Sequence, residues 1–171
     1  LLVVGALSAG FIPLFTQRLR ADGPRARLTA TPEAWRLFTD ALNFLLVALV
    51  VVAGLAALLA PWYVPLITPG FSPPQREATV QLTRILALSP ILLGISGLVG
   101  SVLQSFRRFL VYSLSPVLYN VGIIIGAVAF APRWGIDGLA WGVVVGALLH
   151  LLVQLPLLVR LGFRYRPSLR L

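Results

Sequence analysis

A chain of 171 residues that is 58% hydrophobic and only 11% charged lies outside the balance of a soluble domain. Its net charge of +9 comes from fourteen arginines set against five acids. Cysteine is absent, which excludes disulfides and thiolate metal sites and leaves the redox compartment open. Four stretches hold no Arg, Lys, Asp or Glu: Ala41–Ala60, Ile85–Leu103, Phe109–Ala131 and Gly138–Val159. At about 1.5 Å per helical residue, even the shortest reaches about 28 Å, close to the thickness of a bilayer's hydrocarbon core. Runs such as Leu45–Val52 do not alternate apolar and polar residues, which argues against barrel strands. The expected fold is all-α, a polytopic transmembrane bundle of about five helices.

In chain order, Leu1–Gln17 is apolar from its first residue and reads as a span cut at its front edge. Methionine is absent and no signal-peptide pattern is visible, so an internal piece of a longer polytopic protein is expected. The polar loop 18–34 carries Asp22-Gly23-Pro24, a turn signal. Thr31-Pro32-Glu33 then starts a helix, with Thr31 as N-cap and Pro32 at the first helical position. Trp35, Phe38, Leu42 and Leu45 recur at helical spacing, and the span (35–61) is predicted to stop at Pro61-Trp62-Tyr63. Its opening is expected to lie along the membrane interface.

Pro65, Pro69-Gly70 and Pro73-Pro74 predict a stiff, irregular loop. The third span (80–105) contains Ser89-Pro90, where a kink is expected. A tight turn at Arg107-Arg108 leads to the fourth span (109–131), which carries Pro116. The short loop Pro132–Asp137 precedes the fifth span (137–160) and the tail 161–171.

The arginines are not spread evenly. Eleven of them (18, 20, 25, 27, 36, 107, 108, 160, 164, 166 and 170) fall in the first loop, the 107–108 turn and the tail or at the span ends that adjoin them. The alternate loops hold only Arg76 and Arg133, and Arg84 begins the third span, where it is expected to snorkel. This is the positive-inside pattern, and it places loop 18–34, the 105–109 turn and the tail in the cytoplasm. Arginines at span ends rather than on one soluble face argue against nucleic-acid binding.

Small residues recur along helix faces as Gly122/Gly126, Gly138/Gly142/Gly146 and Gly97/Ser101, a spacing that lets helices approach closely in lipid. Polar residues inside spans are functional suspects. His150 and Gln154 lie one turn apart, and imidazole titrates near neutrality. An interhelical hydrogen bond is the simpler reading for both, and for Asn120 and Asn43. Asp40 and Arg36, also one turn apart, read as an interfacial ion pair. A single His and five scattered acids give no metal cluster, triad or phosphate loop, so no cofactor, no metal and no enzymatic activity are expected.

Gly5-Ala6-Leu7-Ser8-Ala9-Gly10-Phe11-Ile12-Pro13-Leu14-Phe15 resembles the second transmembrane helix of the MurJ/MviN lipid II flippases. The likeness continues through Ala34-Trp35-Arg36, Ala60-Pro61-Trp62, Pro69-Gly70-Phe71 and Leu82-Thr83-Arg84-Ile85. Arg108-Phe109, Pro116-Val117-Leu118-Tyr119-Asn120, Leu139-Ala140-Trp141-Gly142, Gln154-Leu155-Pro156 and Leu161-Gly162-Phe163 complete it, collinear over essentially the whole chain.

The resemblance implies a two-lobed exporter bundle of about fourteen helices, of which this chain supplies helices two to six of the N-terminal lobe. The implied activity moves the undecaprenyl-pyrophosphate-linked peptidoglycan precursor from the inner to the outer leaflet of the bacterial cytoplasmic membrane. Its partners are then that precursor, membrane lipids and the remaining helices of the same polypeptide, with no nucleic acid. The chain departs from the family in having Val4 where many relatives carry an acid, and His150 where relatives more often show Gln. The family's cationic cavity residues sit largely outside the matched region.

On this resemblance, Gly5, Ser8 and Pro13 border the central cavity, against a packing role as the alternative. Arg18, Arg20, Arg25 and Arg27 are placed to meet a lipid pyrophosphate, against plain topological and headgroup anchoring. Two other functions stay open: a related exporter of lipid-linked polysaccharide or drugs coupled to cations, and a non-transporting scaffold for cell-wall synthesis.

Overall fold

The computed structural model describes residues 2–22 and 27–165, and the side chains of residues 9–21 and 28–165. It is an all-α bundle with one small hairpin. The helices are α1 (Leu2–Thr16), α2 (Pro32–Ile67), α3 (Pro73–Leu86), α4 (Leu88–Ser105) and α5 (Phe109–Ile125), then α6 (Ala131–Trp134), α7 (Ile136–Leu152) and α8 (Leu155–Arg160). Four helical runs are long and apolar enough to cross a membrane: Pro32–Ile67, Pro73–Ser105, Phe109–Trp134 and Ile136–Arg160.

The first loop is more ordered than its composition suggests. Strands β1 (Leu19–Asp22) and β2 (Arg27–Ala30) pair antiparallel, Leu19 opposite Ala30 and Asp22 opposite Arg27. Thr31 then caps α2 as its sequence predicts, its side-chain oxygen accepting from the Ala34 N–H at 3.3 Å.

α2 does not stop at Pro61-Trp62-Tyr63. It runs on to Ile67 with Pro61 and Pro65 inside it. Pro61 has no N–H to give the carbonyl four residues back, that of Ala57. Arg84 of α3 supplies the missing donor, its Nε reaching Ala57 O at 3.3 Å. The neighbouring helix thus repairs the proline's defect.

α3 and α4 form one interrupted rod. The expected kink at Ser89-Pro90 appears one turn earlier, at Ala87. Pro90 explains the offset, because it removes the donor owed to Leu86 O and its ring crowds that carbonyl. At the other end of α4, Arg107 adopts a left-handed φ of 58°. Its N–H bonds Gln104 O and that of Arg108 bonds Leu103 O, both at 2.8 Å, closing a Schellman cap in the position where glycine is usual.

α5 opens into a π-helical turn at Gly126–Phe130 just before Pro132. There Gly126 lies against α7, and the Ala131 N–H reaches back five residues to Gly126 O. Gly135, with φ 57°, reverses the chain into α7.

Two contacts organise the bundle. At one end the rings of Phe11 and Phe15 (α1), Trp35 and Phe38 (α2), Phe106 (after α4) and Phe163 (after α8) interlock with centroids 4.9–6.3 Å apart. This knot draws together the C-terminal ends of α1, α4 and α8 and the N-terminal end of α2. Towards the other end, α5 and α7 meet through glycines: a Cβ on Gly122 would collide with the backbone of Gly146, and one on Gly126 with that of Gly142.

Candidate functional site

The buried Ser101, Ser105 and Ser115 each bond a carbonyl one turn back, whereas a polar knot between α4 and the end of α7 joins side chains of two helices. α4 carries no ionisable residue, and α7 has only Asp137 and His150. Ser96 and Gln154 are completely buried, and His150 is half-buried. The one-turn spacing of His150 and Gln154 puts both on the α4 side. Ser96 Oγ lies 2.6 Å from His150 Nδ1 and 3.2 Å from His150 O. Gln154 Nε2 donates to Ser96 Oγ at 2.6 Å and to His150 O at 3.0 Å.

The carbonyl of His150 is available because α7 ends there: the Gln154 N–H bonds Leu151 O instead. Gln154 Oε1 is buried without a partner, facing Gly100 and the ring of Tyr112. Tyr119 of α5 stands edge-on to the imidazole, centroids 6.4 Å apart. Ser96 did not stand out in the sequence, because nothing in linear order ties residue 96 to residue 150.

The other sequence candidates do not join this knot. Asn120 is exposed and bonds back to Pro116 O at 2.8 Å within its own helix. Asn43 accepts from the Tyr165 hydroxyl at 3.0 Å, tying α2 to the segment after α8. Gly5 and Ser8 belong to the helical backbone of α1, but their side-chain surroundings lie outside the described residues. Pro13 is exposed on α1, on a face with Ala9, Gly10 and Leu14 that no other described element covers.

Arg18 turns back to cap α1, its Nη1 donating to Leu14 O at 2.6 Å, which satisfies a carbonyl that helix ends leave orphaned. Arg20 is exposed on β1, Arg27 lies in β2 with its side chain outside the described set, and Arg25 is outside the described residues. The ring knot nonetheless brings Arg18 and Arg20 to the same end of the bundle as Arg36, Arg107, Arg108, Arg160 and Arg164. Among the described residues, no cluster of His, Asp and Glu could hold a metal ion.

Long apolar helices, a close-packed glycine seam and one end collared by guanidinium groups define a polytopic membrane protein of the helix-bundle class. The family model described as lipid II flippase MurJ matches residues 1–171. The lipid II flippase MurJ of Burkholderia cenocepacia is 30% identical over 159 residues, covering 89% of this chain and 29% of that protein. Probable lipid II flippases MurJ of Buchnera aphidicola and Vibrio cholerae are 27% and 29% identical, each over 96% of this chain and 32% of its own length. The chain belongs to the lipid II flippase MurJ family, a family of transporters, and it spans about a third of the length of these curated relatives.

Proposed function

We propose that this chain forms part of the N-terminal lobe of a flippase that carries lipid-linked peptidoglycan precursor across the bacterial cytoplasmic membrane by alternating access. The observation that carries the reading is the family match over all 171 residues. The physical problem is a sugar-peptide headgroup and a pyrophosphate crossing about 30 Å of hydrocarbon, where unpaired polar groups cost several kcal/mol each. A hydrated path between two helical lobes removes that cost without covalent chemistry.

In this reading the arginine-rich end faces the cytoplasm, where arriving lipid presents its phosphates. Arg18, Arg20, Arg25 and Arg27 meet the pyrophosphate through guanidinium forks. In this reading Gly5, Ser8 and Pro13 line the path; for Pro13 the support is the uncovered face of α1, where a side chain at Gly10 would meet open space.

Rescue of flippase-depleted bacteria by the full-length gene tests the activity. Growth with restored lipid II translocation is expected, and failure despite normal membrane expression would point to a different exporter or a scaffold. Orientation is tested by single cysteines at positions 20, 108 and 164, probed with an impermeant maleimide. All three should label only from the cytoplasmic side, and opposite labelling of 108 and 164 would overturn the topology.

A further inference from the structure

The polar knot between α4 and α7 has a proton inventory that an ordinary interhelical tie lacks. The Gln154 amide is fixed by its two acceptors, Ser96 Oγ and His150 O. Rotating it would set Oε1 against the His150 carbonyl, two acceptors face to face. Ser96 Oγ therefore always accepts one bond from Gln154, and keeps one lone pair and one hydrogen. Two partners stand within reach of that remaining capacity, His150 Nδ1 at 2.6 Å and His150 O at 3.2 Å.

With a neutral imidazole, the Ser96 hydrogen goes to Nδ1 and the ring proton sits on Nε2. With an imidazolium, Nδ1–H donates to the free lone pair of Ser96 Oγ, and the hydroxyl hydrogen swings to His150 O. The Ser96 hydroxyl, His150 Nδ1, His150 O and the Gln154 amide N–H stay paired in both cases, and no heavy atom moves. We propose that Ser96, His150 and Gln154 form a proton-binding site within the membrane bundle, in which the Ser96 hydroxyl rotates to accommodate both states of the imidazole.

Among the described residues packed around the knot, none supplies the bound proton with a counter-ion. α5 presents Tyr119 to the ring and Tyr112 near the Gln154 amide; α4, α5 and the described part of α1 carry no charged side chain. Asp137 is more than three turns back along α7, paired there with Gln81 of α3 at 2.7 Å, and Arg160 closes α8. His150 is half-buried, so the described helices do not enclose the ring completely. Occupation therefore changes the charge of the α4–α7 contact by a full unit while its hydrogen bonds persist.

The test reads the imidazole and not transport, so it stands or falls apart from the flippase reading. Full-length protein with 15N-labelled histidine rings is placed in lipid nanodiscs, and the His150 signal is identified as the one lost in His150→Gln. Between about pH 5 and pH 8 its nitrogens should pass from one proton to two. Ser96→Ala should bind the proton at least tenfold more weakly, whereas Ser96→Thr, which keeps the hydroxyl, should titrate within threefold of the parent. A ring that stays singly protonated throughout overturns the proposal, with or without folded Ser96 variants. Unchanged titration in Ser96→Ala overturns the role of the hydroxyl.

Discussion

At the arginine-rich end, six aromatic rings from α1, α2 and the segments after α4 and α8 fill the space between helices, whereas at the glycine seam α5 and α7 meet backbone to backbone. The ring knot can absorb a change of size by moving side chains. The glycine seam cannot, because what a new Cβ meets is a Cα, an amide nitrogen or a carbonyl of the facing helix. In lipid, where tails are as apolar as leucine, close backbone approach replaces hydrophobic expulsion as the source of adhesion. The bundle therefore combines a soluble-protein type of core at one end with a membrane type of contact towards the other.

The sharpest way to break this contrast is at the seam. Gly126→Leu or Gly142→Leu should cost about 4 kcal/mol or more, seen as loss of the folded form in a detergent melting curve. Gly54→Leu, on an open face of α2, should change stability by about 0.5 kcal/mol or less. At the ring end, Phe15→Ala and Phe38→Ala each empty a completely buried site, and about 3 kcal/mol should be lost in the same melt.

A third experiment concerns the proline that α2 tolerates. Arg84→Gln should cost about 1 kcal/mol in the parent and much less in a Pro61→Ala background, where the restored N–H takes over Ala57 O. Equal costs in the two backgrounds would show that the guanidinium does not serve that carbonyl.

The smallest effects compare two caps of one design. Arg107 and Gly162 both have positive φ, and in both the flanking N–H groups close Schellman bonds, Phe163 to Leu158 O and Gly162 to Val159 O in the second. Arg107→Gly should stabilise by about 1 kcal/mol and Gly162→Ala should destabilise by a similar amount, read as opposite shifts in melting temperature. An L-residue where glycine fits better means that position 107 keeps its charge at the expense of backbone comfort.

Much of this was legible because it is local or periodic. The apolar runs, the Thr31 cap, the glycine spacing and the His150–Gln154 face all follow from short-range rules. Where the reading fell short, a distant partner decided the outcome. Pro61 reads as a stop until Arg84 supplies the missing donor. The first loop reads only as a polar turn because its strands are four residues each, too short for the alternation in Leu-Arg-Ala-Asp and Arg-Leu-Thr-Ala to mark them out; the inward positions Leu19, Leu28 and Ala30 pack on the ring-end core. Ser96 completes the polar knot from another helix, and no spacing rule reaches across 54 residues.

The length of α2 has a consequence for how the molecule meets its surroundings. Thirty-six helical residues measure about 54 Å. Leaning at about 40°, the steep limit for membrane helices, such a rod still needs roughly 41 Å of depth. A hydrocarbon slab of about 30 Å leaves nearly three turns standing outside it. The end that carries the exposed Glu33, Arg36 and Asp40, beside the hairpin, is the one whose charges suit the headgroup layer or the water beyond it.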